Sequence, residues 1–342
     1  MKLAINTQPL ISGHRIRGIG SYTRNLIDNL LKINELELTQ FEDPNNPPEA
    51  DVVHYPYFDL FAKTLPPKSK NPRIVTIHDV IPLVFPNYFP AGVKGYLNLF
   101  FQKRSLKNIN TVIADSRTSK NDIASKLSYP KEKIKAIYLA PRENFKRITN
   151  TKKIADRAKK YNLPKNFALY VGDVNWNKNI ENLIRAVKIA KLDLVMVGSA
   201  IIDNQLSETI KINKLIKNLD MGDQIHKLGY VDEQDLICLY NLAQLTLLPS
   251  FYEGFGLPVL ESMACGTPVV CSKVASLAEI GGDAAIYCDP SNPDDIAAKI
   301  SQVLNLTSAQ LGQLSEKSIA NASNYSWEKT AKQTFEVYQS LL

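Results

Sequence analysis

No apolar run in this chain approaches the roughly 18 residues needed to cross a bilayer, which argues against a membrane-spanning helix. Met1-Lys2-Leu3-Ala4-Ile5-Asn6 is too short for a signal peptide and ends in polar residues, so a cytoplasmic location is expected. Cysteine is scarce. Cys238, Cys265, Cys271 and Cys288 all lie in the second half, in apolar segments and without the close paired spacing of a metal site. They read as reduced core residues rather than a disulfide framework. There is no Asp-x-Asp pair, no tandem repeat and no nucleic-acid recognition motif.

What is present suits a soluble globular chain of two domains: 342 residues, 44% hydrophobic and 22% charged. The net charge of +7 is unevenly placed. Residues 1–162 carry 27 Lys+Arg against 14 Asp+Glu, and the remainder carries 14 against 20. A basic half points to an anionic partner. An anionic membrane face or a phosphorylated lipid acceptor fits better than nucleic acid, and a lysine-rich solvated surface is the plain alternative.

The first half alternates strand and helix signals, as an α/β fold requires. Leu3-Ala4-Ile5 reads as a buried strand. A polar loop with Arg15, Arg17, Gly18 and Gly20 follows, and Tyr22 to Leu31 has helical spacing of apolar residues. Gly18-Ile19-Gly20 therefore falls at a strand-to-helix turn suited to a phosphate. A dinucleotide fingerprint would need a third glycine where Thr23 stands, so a dehydrogenase is excluded there. Residues 32–50 read as a polar connection. Asp51 to His54 and Ile74 to Ile77 read as strands, and the second delivers His78-Asp79 to its carboxyl end, the edge where open α/β sheets bind ligands. His54 reads as structural. Phe89 to Lys107 is a basic amphipathic helix, packed on the sheet or, alternatively, a membrane anchor. Thr111 to Ala114 is a strand. Asp115 to Ser119 then starts a helix, with Ser119 and Asp122 as a capping pair. Residues 141–163 are polar and charged, as in an interdomain connection.

In the second half, Phe167 to Val171 is a strand, and Lys178 precedes a helix that begins near Ile180. A lysine ammonium is a compact charge suited to a diphosphate. Leu194 to Gly198 and Ile225 to Val231 are strands with turns, and His226 reads as structural. Asp232 to Leu242 is a helix, and Leu245 to Leu248 a strand ended by Pro249. The densest signal follows: Glu253-Gly254-Phe255-Gly256-Leu257-Pro258, then Glu261. Two glycines let the backbone turn and approach a ligand, Pro258 suits a first helical turn, and Gly266 a helix stop. A loop feeding a helix N-terminus offers N–H donors to phosphates. Glu253 and Glu261 add acceptors for hydroxyls. That combination fits a nucleotide sugar. Residues 272–283 are turn-rich, and helices are expected from Asp294, Ser308 and Ser326 onward.

The Glu253-to-Glu261 run resembles the signature of the retaining nucleotide-sugar glycosyltransferases of family four. So do Gly18-Ile19-Gly20-Ser21-Tyr22-Thr23-Arg24-Asn25-Leu26, Thr76 to Pro82, and the Lys178 segment. The resemblance implies the GT-B fold: two Rossmann-like domains with a central donor cleft and a C-terminal helix returning to the first. The expected division is 1–145 with 326–342 on the acceptor side, and 163–325 for the donor. It further implies a hexosyltransferase similar to bacterial mannosyltransferases of polysaccharide assembly. GDP-mannose is the first expected donor, a UDP-hexose the second, and the acceptor a saccharide or lipid-linked saccharide.

By the same resemblance His78 and Glu253 act at the sugar and Glu261 holds the ribose. Gly18, Ile19, Gly20, Lys178, Gly254, Phe255, Gly256 and Leu257 surround the donor. The backbone of Gly229, Tyr230 and Val231 reads the base, and Arg17, Ser116 and Arg117 face the acceptor. Neither a metal nor another cofactor is expected, nor is a nucleic-acid partner; peripheral contact with an anionic inner membrane face is. The chain departs from the pattern twice. Asp173 stands where many members carry arginine, and Asn177 where another base often precedes the lysine. Diphosphate neutralisation then leans on Lys178, backbone N–H groups or a first-loop arginine. A nucleotide-sugar epimerase on this fold and a non-catalytic glycan-assembly protein remain as alternatives.

Overall fold

The computed structural model describes residues 1–13, 18–67 and 71–342, with side chains throughout except at 151, 153 and 155. It forms two compact units, Met1–Ala140 with Tyr325–Leu342 and Pro141–Asn324. Each holds a six-stranded sheet whose neighbouring strands pair in parallel.

The first sheet comprises β1 (Lys2–Asn6), β2 (Glu37–Phe41), β3 (Val52–Tyr55), β4 (Arg73–Ile77), β5 (Thr111–Ala114) and β6 (Ile134–Ala136), in the order β2-β1-β3-β4-β5-β6. Residues of β3, β4 and β5 are buried along their whole length, which explains their near-continuous apolar runs. Strand β2 lies in the stretch expected to be a connection; it is an edge strand with only Phe41 buried, so it lacks a core pattern. The helix Trp327–Gln339 belongs to this unit and buries Trp327, Phe335, Val337 and Tyr338. Thr330 Oγ1 donates to the Tyr138 carbonyl at 2.7 Å. Tyr338 Oη lies 2.7 Å from His54 Nδ1, and His54 Nε2 lies 2.9 Å from Thr76 Oγ1. His54 is fully buried, and burial first, then the neighbouring His78 charge, push its pKa down to about 3. It is a neutral, structural imidazole.

The second sheet comprises β7 (Phe167–Val171), β8 (Asp193–Val197), β9 (Ile225–Gly229), β10 (Leu245–Leu248), β11 (Val269–Ser272) and β12 (Ile286–Cys288), in the order β12-β11-β10-β7-β8-β9. That is the doubly wound order, with its topological switch between β7 and β10. All four cysteines are free and buried. Residues 141–163, expected as a connection, include the helix Thr151–Lys160. Its Arg157 and Lys160 pair with the buried Asp235 of the helix Glu233–Leu242. The turn-rich segment after Cys271 contains the helix Ala275–Gly281. Among the described residues no helix is long and apolar enough to cross a membrane.

Candidate active site

The switch point of the second sheet brings two loops together. The loop after β7 carries Asp173 to Asn179, and the loop after β10 carries Pro249 to Gly256. Asn177 Nδ2 donates to the Tyr252 carbonyl at 2.9 Å, and the Phe251 N–H donates to the Asn177 carbonyl at 2.8 Å. Asn179 Nδ2 donates to the carbonyls of Pro249 and Pro290, and Trp176 stacks on Phe251 at 5.1 Å. Asn177 therefore ties the two loops together; it is not a weak substitute for a base. Asp173 is likewise local: its Oδ1 accepts from the Val174 N–H at 2.7 Å and its carbonyl from Tyr170 Oη.

Between the clasped loops, Lys178 Nζ donates to both Glu253 carboxylate oxygens at 2.8 Å. Glu253 is 5% exposed, and its Oε1 also accepts from Ser250 Oγ at 2.7 Å. Ser276 Oγ donates to the Glu253 carbonyl at 2.8 Å, fixing the loop from below. A cation suited to phosphate and a carboxylate suited to hydroxyls thus sit together where doubly wound sheets bind ligands.

The chain then turns at Gly256, whose φ is +100°, into the helix Leu257–Ala264. A Cβ there would lie 2.5 Å from Leu277 Cδ2, so both conformation and space demand glycine. Gly254 and Phe255 are buried, and Pro258 falls in the first helical turn. The N-terminus leaves the first helical N–H groups without intrahelical partners, a donor set for an anion. One turn on, Glu261 Oε2 accepts from Tyr240 Oη at 2.8 Å. Burial pushes the Glu261 carboxyl up to about 7, while the Tyr240 bond and the Arg142 charge pull the other way.

At the ends of the adjacent strands β7, β8 and β9 stand Gly172, Gly198 and Gly229. Gly172 N–H donates to the Val197 carbonyl and Gly198 N–H to the Gly229 carbonyl. A Cβ at Gly198 would lie 2.0 Å from the Gly172 oxygen, so backbone meets backbone at this edge. Beyond it Tyr230 is exposed and Val231 buried.

In the first unit, β4 and β5 pair in the register Ile77↔Ala114, which places His78 and Asp115 side by side at the carboxyl edge. His78 Nδ1 lies 2.7 Å from Asp115 Oδ2, and Nε2 lies 3.2 Å from the Pro56 carbonyl oxygen. Both ring nitrogens face oxygen atoms, an arrangement that favours the protonated ring. Burial alone would lower its pKa, but the Asp115 carboxylate, Asp79 and the Pro56 carbonyl raise it above the ordinary histidine value. Tyr22 meets the ring edge-on at 4.8 Å. Gly18, Ile19 and Gly20 form the first turn of the helix Gly18–Leu30 rather than a preceding loop; Gly18 is exposed and Gly20 buried. Arg17 and Arg15 lie outside the described residues. Ser116 is fully buried and caps the helix Arg117–Leu127 by accepting from the Ser119 N–H; the cap expected at Ser119 is thus three residues earlier. Arg117 is exposed at that helix start. Among the described residues no three His, Cys, Asp or Glu side chains form a metal-holding group.

Sequence reading missed Asp115, Tyr240, Ser250 and the clasp by Asn177. For Asp115 a signal existed: it directly follows β5 as His78 directly follows β4, and the parallel pairing Ile77↔Ala114 sets the two residues side by side.

The family described as Glycosyl transferases group 1 matches residues 151–325, and Glycosyltransferase Family 4 matches residues 16–140. The chain is 32% identical over 292 residues to O-antigen chain mannosyltransferase B of Escherichia coli, covering 85% of this chain and 74% of that one. It is 27% identical to the serotype-specific mannosyltransferase WbdA of Escherichia coli over 83% of this chain but only 35% of that much longer relative. Among solved structures, sucrose-phosphate synthase from Thermosynechococcus elongatus superposes with a TM-score of 0.76 at 20% identity, covering 100% of this chain and 99% of that one. Anabaena Alr3699/HepE in complex with UDP-glucose superposes with a TM-score of 0.77 at 18% identity, covering 99% of this chain and 100% of that one. These likenesses give the fold as GT-B with two Rossmann-like domains. The chain belongs to the group 1 glycosyl transferases, with a family four N-terminal half, and is a hexosyltransferase.

Proposed function

We propose that the enzyme transfers mannose from GDP-mannose to a saccharide or lipid-linked saccharide, with retention at the anomeric carbon and without a metal ion. The observation that carries this reading is the Lys178–Glu253 pair at the switch point of the second sheet, beside a helix N-terminus. The mannosyltransferases of Escherichia coli to which the chain is similar support mannose. On this reading the donor diphosphate takes Lys178 from Glu253, and the freed carboxylate accepts from sugar hydroxyls. Glu261 accepts from the ribose, and the backbone at Gly229 to Val231 meets the base. The bond from C1 to the diphosphate oxygen breaks as the bond from C1 to the acceptor oxygen forms on the same face. The acceptor's proton passes to a departing diphosphate oxygen. Lys178 and the N–H groups at Gly254 to Leu257 stabilise the charge that builds on that leaving group. His78 takes the sugar side. With both ring nitrogens engaged, its backbone carbonyl, or its ring after release of Pro56, meets the sugar hydroxyls.

The supply of a lipid-linked acceptor implies peripheral contact with an anionic membrane face, supported by the basic first half. The test is a panel of nucleotide sugars screened by thermal shift and then by turnover, with and without chelator. GDP-mannose should stabilise the protein most and turn over equally in chelator. Stronger turnover of a UDP-hexose would move the donor assignment. Donor conversion without acceptor would indicate an epimerase, and no nucleotide binding would indicate an assembly protein.

A further inference from the structure

The helix Gly92–Leu106 is apolar on the wrong side. Its inward face, at Gly95, Leu99, Gln102 and Leu106, is partly polar and fixed by hydrogen bonds. Gln102 is 1% exposed; its Nε2 donates to the Asp59 carbonyl at 2.9 Å and its Oε1 accepts from the Leu65 N–H at 3.2 Å. Asn98 Nδ2 donates to the Phe61 carbonyl at 2.8 Å. The helix cannot roll without unpairing these groups. Val93, Tyr96, Leu97, Phe100 and Phe101 instead form one outward stripe at i, i+3, i+4, i+7 and i+8, with exposures from 41% for Phe101 to 89% for Val93. Such a stripe in water marks a surface meant to be covered.

Its own charges are of one sign, and Asp59 beneath its inward face is taken up by Tyr57 Oη and the N–H groups of Phe61 and Ala62. From Val80 to Ala114 there is no Asp or Glu, while Lys94, Lys103, Arg104 and Lys107 stand there. Lys63 adds a cation 4.6 Å from the Phe101 ring centroid. A second copy docked on this face by a two-fold axis would set these cations against themselves. An anionic bilayer surface complements both features: the aromatic and aliphatic stripe enters the headgroup boundary and the cations meet lipid phosphates. We infer that the outward face of Gly92–Leu106 is the surface by which the enzyme lies on anionic membranes. This deepens the membrane contact proposed above and rests on it. The helix is then packed on the sheet and membrane-facing at once.

The experiment is vesicle flotation of the full chain without donor, comparing phosphatidylcholine alone with phosphatidylcholine plus phosphatidylglycerol. Two variants are compared, Leu97→Gln with Phe100→Gln and Lys94→Glu with Arg104→Glu. All four positions are exposed, and circular dichroism checks their folding. Binding should require the anionic lipid, weaken with salt and fall at least about tenfold in each variant. Binding unchanged in both variants, or equal on neutral vesicles, overturns the inference. Dimers that both variants split, without vesicle binding, also overturn it and make the face a contact between copies. Flotation needs no donor. Turnover on a soluble acceptor reports the donor assignment separately, so the two failures are distinguishable.

Discussion

Removing the cation from the Lys178–Glu253 pair separates its energetic role from mere proximity. Lys178 is one-fifth exposed at its side chain and Glu253 7%, and both carboxylate oxygens accept from the ammonium. Lys178→Met leaves a buried carboxylate that still accepts from Ser250 Oγ but has lost its cation. Breaking a buried pair from one side costs about 3–5 kcal/mol, and the partial exposure of Lys178 places this case near the lower end. Replacing both partners, as Lys178→Met with Glu253→Gln, should recover about 2 kcal/mol of that loss as coupling. Trp176 stacks on Phe251 in the second unit, and the chain's other tryptophan, Trp327, lies in the first. In a Trp327→Phe background, urea unfolding followed by tryptophan fluorescence therefore reads the second unit alone. Additive effects, or a single variant as stable as its parent, would refute the reasoning. The same four proteins should show that Lys178→Met weakens binding of a nucleoside diphosphate but not of the nucleoside.

His78→Ala should lower turnover about a hundredfold. It should also cost on the order of 3 kcal/mol, because Asp115 at 3% exposure loses its cation, and Asp115→Asn should restore part of that stability but not the turnover. The folded-state pKa of His78 is raised, so its pairing contributes fully below the unfolded value and is lost as pH rises through the folded one. First-unit stability should thus decline above neutrality, and the decline should vanish in Asp115→Asn, as a melting series against pH would show. Glu261→Ala should weaken nucleotide binding by about 1.5–3 kcal/mol. With its carboxyl raised to about 7, the native protein's stability falls as pH rises from the unfolded value toward 7, while nucleotide affinity increases over that range as the carboxylate ionises; calorimetry on Glu261→Gln should lose both trends. Gly256→Ala should destabilise the second unit by about 1–3 kcal/mol through its positive φ and the Leu277 contact, measured by the same urea titration.

Buried parallel strands were legible because they are continuous apolar runs, and the helix ends at Pro258 and Gly266 were legible because those residues punctuate the chain. Strand β2 was not, since an edge strand with one buried residue carries no period. Nor was Ser207–Asn218, whose buried positions are Thr209, Ile212 and Ile216, too few to stand out among its lysines. In the site, Lys178, Glu253 and Glu261 could be named from their loops, but their partners are set by topology. Lys178 meets Glu253 across 75 residues and Glu261 meets Tyr240 across 21. No local pattern encodes such pairs. The exposed apolar stripe of Gly92–Leu106 was visible as helical spacing, but which side of the helix is buried depended on Gln102 and Asn98 finding partners in residues 59–65.

Retaining transfer from a donor held at Lys178 is tested most directly by the anomeric configuration of the first product. GDP-mannose and a saccharide acceptor are incubated with the native enzyme, and the configuration at C1 of the new glycoside is read by NMR from its one-bond carbon–proton coupling. Same-face transfer at the Lys178 site gives a new α-mannoside with loss of GDP-mannose, no product in Lys178→Met, and no epimerised donor. A β-linked product would contradict same-face transfer, and an undiminished rate in Lys178→Met would contradict the assignment of the diphosphate site.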